Sequence, residues 1–381
     1  MSFIHIMPAS PPHGLLLRGM RGAAPATRDA VLALLDASEL AGVVEANAGA
    51  DARGAFIRLS LCEAEKSAWM PGADTLGLCA RLQLDPLESA ADLKREIVLA
   101  LLACPQPVDF PSVDELLSAV RMRCHIVQAG RKTTLAFETS DAERPQDCWT
   151  YVRGKGFILL PGVSLITALK KATQPEVSGT LYSFSCYRAS EYVILLALAE
   201  ELALANPAMF ARLQALWNER AIMSGEFHEV FLRELGSMEQ PLPPDYYVPG
   251  DRVWFRNPDE ASAEASGFEG SWLLYLGNGL FANFWERDRP YTKTDKCIEL
   301  YHWRNATFLD REGELRIDEA KVCTLVQATR SDPAEVARIV ALMWRYRGAR
   351  GVYGESGCVD TTREFLRWVR PGTADLVLPL Q

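Results

Sequence analysis

Residues 181–198 read LYSFSCYRASEYVILLAL. From Ala189 to Ala205 most residues are apolar, with no polar stripe of any width, so the stretch describes a helix buried on nearly all sides with a thiol, Cys186, at its entrance. Asn206-Pro207 ends it, because proline has no N–H to donate and crowds the preceding turn. Its most apolar part, residues 193–205, is short and carries Glu200 and Glu201, which fits a core helix and not a membrane span. A cysteine in the first turn sits where unpaired backbone N–H groups and the positive end of the helix dipole favour an anion. That predicts a lowered thiol pKa, and thiolate is the nucleophilic form. The same N–H groups can hold the oxyanion formed when a carboxamide is attacked. A structural thiol at a helix start is the plain alternative.

The segments around this helix mix both periodicities. Upstream, Ser112-Val113-Asp114-Glu115 is a capping-box pattern opening a helix to about Ala129, with Gly130 as its expected stop. Residues 148–152 and 157–160 flank Arg153-Gly154-Lys155-Gly156 as a hairpin, and residues 163–172 form a short helix. Downstream, residues 207–220 continue as helix, and residues 253–255 read as a strand after Pro249-Gly250-Asp251. Residues 272–276 and 280–284 flank Asn278-Gly279, the strongest short hairpin signal. Two helices follow, over residues 317–329 and from Asp332-Pro333-Ala334-Glu335 to about Tyr346, the second with a cap and proline at its first position. One more amphipathic helix is expected around residues 361–369.

The first part of the chain reads as an αββα module. Residues 27–40 have helical spacing, residues 55–62 and 76–84 alternate like strands, and residues 86–104 form a strong helix. It shows no chemistry beyond His5 and His13 and has no glycine-rich loop. Residues 104–112, CPQPVDFPS, carry three prolines and read as a linker. The fold class expected is α+β, divided into residues 1–110, 111–346 and a helical extension at 347–381.

Of the 381 residues 49% are hydrophobic and 23% charged, which supports a sizeable core. The net charge of −9 argues against a general binder of nucleic acid or anionic membrane, which needs a basic face. Nine cysteines, an odd number without a C-x-x-C pair, give neither a disulfide framework nor zinc-ligand spacing, so reduced thiols in the cytoplasm are expected. Residues 1–12 show no charged leader before a long apolar stretch, and no secretory signal is expected. Cys79 on a strand, and Cys124 and Cys323 on helices, read as buried thiols, whereas Cys358 reads as a loop residue open to solvent. Trp254, Trp272, Trp285 and Trp303 are spread through the strand-rich region, where core packing explains them and some could line a cleft.

Four blocks, in order, carry a resemblance. They are residues 116–128 (LLSAVRMRCHIVQ), 181–198, 250–259 (GDRVWFRNPD) and 325–332 (LVQATRSD). From about residue 112 to residue 343 the chain resembles the protein-glutamine gamma-glutamyltransferases (transglutaminases) of the bacterial spore-coat type, as a divergent member. The resemblance implies a papain-like core, a cysteine helix packed on a small antiparallel sheet, with no metal and no cofactor. It places Cys186 on the catalytic cysteine, whose thiolate attacks a glutamine side-chain amide, releases ammonia and passes the acyl group to a lysine amine. The partners implied are proteins bearing glutamine and lysine side chains.

The family's glutamate before the cysteine is Ser185 here, its sheet glutamate aligns with Ser271, and a downstream histidine corresponds to Asn283 across a one-residue gap. Glu269, two residues before Ser271, would share its face in an extended segment and could act as a displaced base. His228 and His302 could approach through the fold. The ordinary alternatives are a solvated turn carboxylate for Glu269, packing or surface roles for the histidines, and no function for Asn283 and Ser271. Two functions therefore stay open: cysteine-dependent acyl transfer on protein glutamine (cross-linking or deamidation), and an inactive transglutaminase-like binding or structural protein that has lost its base.

Overall fold

The computed structural model describes residues 13–19, 25–137, 142–348 and 356–379. The leader expectation for residues 1–12, and His5, lie outside these residues.

The first layer is a four-stranded sheet in the order β2-β3-β1-β4, from β1 (Leu15–Arg18), β2 (Val44–Asp51), β3 (Gly54–Leu61) and β4 (Val108–Phe110). The alternation in β3 turns Leu59 and Leu61 inward. With this sheet go the helices α1 (Pro25–Ala37), α2 (Glu63–Trp69), α3 (Leu78–Leu82) and α4 (Ala90–Leu102). Ser89 caps α4 by accepting from the Asp92 backbone N–H at 3.1 Å. Two expectations are corrected here. Residues 76–84 are not a strand, because Leu78, Cys79 and Leu82 share a helical face and Gln83, in the left-handed conformation, closes α3 after five residues. Residues 104–112 are more than a linker: Val108 and Phe110 alternate inward and pair in parallel with β1, and the prolines only bracket the strand.

The second layer is helical. In α5 (Val113–Lys132), the Ser112 hydroxyl accepts from the Glu115 N–H at 3.2 Å. The helix runs through Gly130 instead of stopping there, and a Cβ at that position would stand 3.1 Å from the Leu276 side chain. That glycine serves close helix–sheet approach. Then follow β5 (Ala136–Phe137), the hairpin β6 (Trp149–Val152) and β7 (Gly156–Leu159), α6 (Leu165–Thr173), α7 (Pro175–Ser178) and β8 (Ser183–Phe184). The helix α8 (Cys186–Ala205) is buried along most of its length and packs against α5, α6 and α9 (Pro207–Glu219), and α10 (Gly225–Phe231) follows, packed on β9 (Leu232–Leu235).

The strand-rich layer is an antiparallel six-stranded sheet. Its strands are β9 (Leu232–Leu235), β10 (Arg252–Arg256), β11 (Gly270–Gly277), β12 (Leu280–Phe281), β13 (Tyr291–Thr292) and β16 (Arg363–Leu366), in the order β13-β12-β11-β10-β16-β9. The short α11 (Glu260–Ala263) lies between β10 and β11. Asn278 and Gly279 both have positive φ, 53° and 70°, as the two-residue turn joining β11 to β12 requires. Strand β11 buries both faces. Leu274 and Leu276 join the core shared with α5 and α8, while Leu273 and Tyr275 join a second core with α12 (Lys293–Trp303) and α14 (Pro333–Met343). The hairpin β14 (Thr307–Leu309) and β15 (Leu315–Ile317), and α13 (Glu319–Arg330), complete that side.

The C-terminal expectation is also corrected: residues 363–366 are strand β16, not helix. The segment inserts between β9 and β10, and Arg363 is buried donating to the carbonyls of Tyr246, Asp360 and Thr362. Pairing on both sides outweighs a local helical pattern.

Candidate active site

The cysteine helix begins on a serine for a local reason. Ser185 has extended backbone (φ −83°, ψ 159°), and its Oγ accepts from the Arg188 N–H at 3.4 Å, satisfying one of the four free donors of α8. Cys186 is then the first helical residue and is half-buried. The expected lowering of its thiol pKa does not hold. Burial pushes the thiol up, against the opposing pull of the Trp272 backbone N–H, the charge of Lys296, the Tyr187 N–H and the charge of Arg252. Desolvation wins over the helix start.

A cavity of about 510 Å³ opens beside the cysteine. Cys186, Ser271 and Asn283 all line it, so three of the four residues singled out in the sequence come together. Glu269 does not: it is exposed, just before β11, and outside the lining, with its carbonyl accepting from the Asn257 N–H at 3.0 Å. Ser271 sits on β11 opposite Phe255, and among the described residues its hydroxyl makes no hydrogen bond. Asn283 is fully engaged. Its Nδ2 donates to the Arg289 carbonyl at 3.0 Å, and its Oδ1 accepts from the N–H groups of Trp285 (3.2 Å) and Glu286 (3.1 Å), which folds the loop after β12.

The histidines lie outside the cavity lining. His228 Nδ1 meets Glu364 Oε1 at 2.9 Å, and that hydrogen bond holds its pKa above the ordinary value. His302 Nε2 meets the Thr329 hydroxyl at 2.7 Å, and burial lowers its pKa. Glu364 also accepts from Arg252 at 3.0 Å, and the Arg252 guanidinium stacks on Trp272 and Tyr187 at 4.0 and 4.5 Å from their centroids. These contacts brace Tyr187 and Trp272, the two residues whose backbone N–H groups pull the thiol pKa down.

Part of the cavity lining was not foreseen. Lys296, Glu299 and Tyr291 belong to it, with Glu319 and Cys323 from α13. Lys296 Nζ donates to Glu299 Oε1 at 3.1 Å and lies 4.2 Å from the Tyr291 ring centroid. Burial, then the neighbouring Glu299 charge, raises the Glu319 pKa. A signal for this part exists in the sequence. Thr292 and Asp295 form a reciprocal capping box at the start of α12, and Lys296 and Glu299 follow at i,i+3.

Two cysteine expectations are corrected. Cys323 is exposed at the cavity rim, because α13 turns Val322 and Thr329 inward and Cys323 outward. Cys358 is buried, since its neighbour Val359 bridges to Phe255 and Tyr346 and draws the segment into the core. Cys79 is buried as expected, though on a helix, and Cys124 is half-buried. Among the described residues no group of three or more His, Cys, Asp or Glu is placed to hold a metal ion, and no helix is long and apolar enough to cross a membrane.

Comparison with known proteins follows the same residues. No curated protein matches the chain. A transglutaminase from Geobacillus stearothermophilus, solved without its C-terminal extension, is similar at 23% identity, over 57% of this chain and 98% of that chain, with a TM-score of 0.40. A family model described as protein-glutamine gamma-glutamyltransferase matches residues 80–333, a span that includes Cys186, Ser271, Asn283 and Lys296. With well over half of its length matched by that model, the chain belongs to the protein-glutamine gamma-glutamyltransferase family.

Proposed function

We propose that this chain transfers the acyl group of protein glutamine side chains through a thioester on Cys186, to a lysine amine (an isopeptide cross-link) or to water (deamidation). The observation that carries the proposal is Cys186 at the first turn of α8, opening into a 510 Å³ cavity in a member of this family. The thiol proton passes to solvent, the thiolate attacks the amide carbon, and the S–C bond forms. The C–N bond then breaks, and the nitrogen leaves as ammonia with a proton taken back from solvent. In the second half an amine attacks the thioester carbon, the new N–C bond replaces S–C, and the amine's surplus proton returns to the sulfur.

The free Ser271 hydroxyl supports a role in orienting the incoming amide, and Asn283 one in holding the rim loop. The carboxylates of Glu286, Glu299 and Glu319 along the cavity suit a cationic acceptor side chain. Glu269, exposed and outside the lining, has no place in this scheme. The helix α8 on the antiparallel sheet is taken as the papain-like core. The chemistry is assigned to residues 111–346, with residues 1–110 and 347–381 as flanking units. An intracellular setting, in which the nine free thiols stay reduced, belongs to the same proposal. None of the steps calls for a cofactor.

The test is incorporation of a fluorescent primary amine into casein, with ammonia release followed in parallel. The expected result is turnover that vanishes in Cys186→Ala. Equal turnover in wild type and Cys186→Ala would rule out the thioester on Cys186, and none in either across a panel of glutamine-rich proteins would leave the inactive binding protein as the correct account.

A further inference from the structure

The thiol of Cys186 is desolvated, and Ser185 and Ser271 present neutral hydroxyls where the resemblance expects carboxylates. Ser185 is spent on the helix cap, Asn283 on its loop, and His228 and His302 lie away from the cavity lining. We propose that Lys296 is the electrostatic partner of Cys186: a buried ammonium that holds the thiolate in the cavity in place of a carboxylate or imidazole base. This rests on Cys186 being the nucleophile.

Position and burial support it. Lys296 lines the same cavity as Cys186, and its side chain is 3% exposed. The other cations of the lining, Arg289 and Arg330, are 82% and 53% exposed, so water and salt screen them. Arg252 is fully buried but outside the lining, and Glu364 neutralises it at 3.0 Å. A charge held away from water acts on its neighbours several-fold more strongly than a solvated one. The Tyr291 ring and the Glu299 carboxylate fix the ammonium in place, and Glu299, at 22% exposure, shares its own charge with water. The remaining ionisable groups of the cavity are accounted for. Asp295 pairs with Arg330, Glu286 with Arg289, and Tyr291 with Glu299, while Glu319 and Cys323 are exposed on α13 at the rim.

The electrostatics also make sense of the serines. A carboxylate beside the sulfur would oppose thiolate formation while serving as base. Two neutral hydroxyls leave the field at the sulfur to the cations. The thiol proton goes to solvent, and no proton passes through Lys296.

The test is the pH dependence of Cys186 alkylation by iodoacetamide, mapped by mass spectrometry in the full chain, with Cys186→Ala as control and thermal melting to check folding. In Lys296→Met the alkylation midpoint is expected to rise by about one pH unit, slowing alkylation at pH 7.5 roughly tenfold. Lys296→Arg is expected to restore it. Glu299→Gln, which leaves the ammonium unneutralised, is expected to lower the midpoint, a shift that misfolding does not imitate. An unchanged midpoint in both Lys296→Met and Glu299→Gln overturns the proposal. Failure of the acyl-transfer proposal looks different: the midpoint shifts with Lys296, but no variant incorporates amine or releases ammonia.

Discussion

Ser185 shows how one position can serve structure where the resemblance read from the sequence expects a carboxylate. As a helix cap it accepts a backbone N–H, and serine is among the best residues for that task, whereas a glutamate is not. Ser185→Ala is expected to lower stability by about 1 kcal/mol in urea unfolding, a loss typical of a missing cap. An unaltered midpoint would mean that the cap is redundant. The helix start at Cys186 was legible at the residue scale, because a polar lead-in and a continuous apolar run mark it. The thiol pKa of Cys186 was not, since the sequence shows the helix terminus but not the desolvation that outweighs it. Lys296 and Glu299 escaped for another reason. Their helix is short and its apolar face mixed, and only the Thr292–Asp295 capping box announced it.

At the scale of elements, the β11–β12 hairpin carries one wall of the site, and α4 braces it from behind. Glu96 of α4 is fully buried; it accepts the Asn278 backbone N–H at 3.0 Å and the Tyr275 hydroxyl at 3.1 Å. Burial pushes its carboxyl from 4.5 up to about 7. Between those values the folded protein holds a proton that the unfolded chain has released, so stability falls as pH rises through that window. Glu96→Gln is expected to flatten the dependence and to exceed the wild type at pH 8 by up to roughly 3 kcal/mol. Parallel pH profiles for the two proteins would refute it. In the turn itself, Asn278 holds positive φ, so Asn278→Ala should cost roughly 1 kcal/mol by thermal unfolding while Asn278→Gly is near neutral. The Asn-Gly pair made this hairpin readable from the sequence. Residues 76–84 and 361–369 were misread because each is short enough to fit two periodicities, and distant partners decided between them.

Across the whole molecule one core joins what the sequence divides. Leu15 and Leu17 of β1, Ile97 and Leu101 of α4, Val120 of α5, Leu195 of α8 and Leu376 near the C-terminus belong to a single hydrophobic cluster. A proline-rich stretch suggested a boundary at residue 110, but β4 lies inside that stretch and pairs with β1. A fragment starting at Pro111 would expose the α5 face that α4 covers, and is expected to lack a cooperative thermal transition; a sharp transition at the full-length temperature would show that the flanking unit is dispensable. The central claim concerns the thioester. Its most direct test is the intact mass of the protein after mixing with a glutamine peptide in the absence of amine. The account predicts an adduct of the peptide less ammonia on Cys186, discharged by a primary amine and absent from Cys186→Ala. An unmodified Cys186 across glutamine peptides, in a protein that still consumes them, would contradict it.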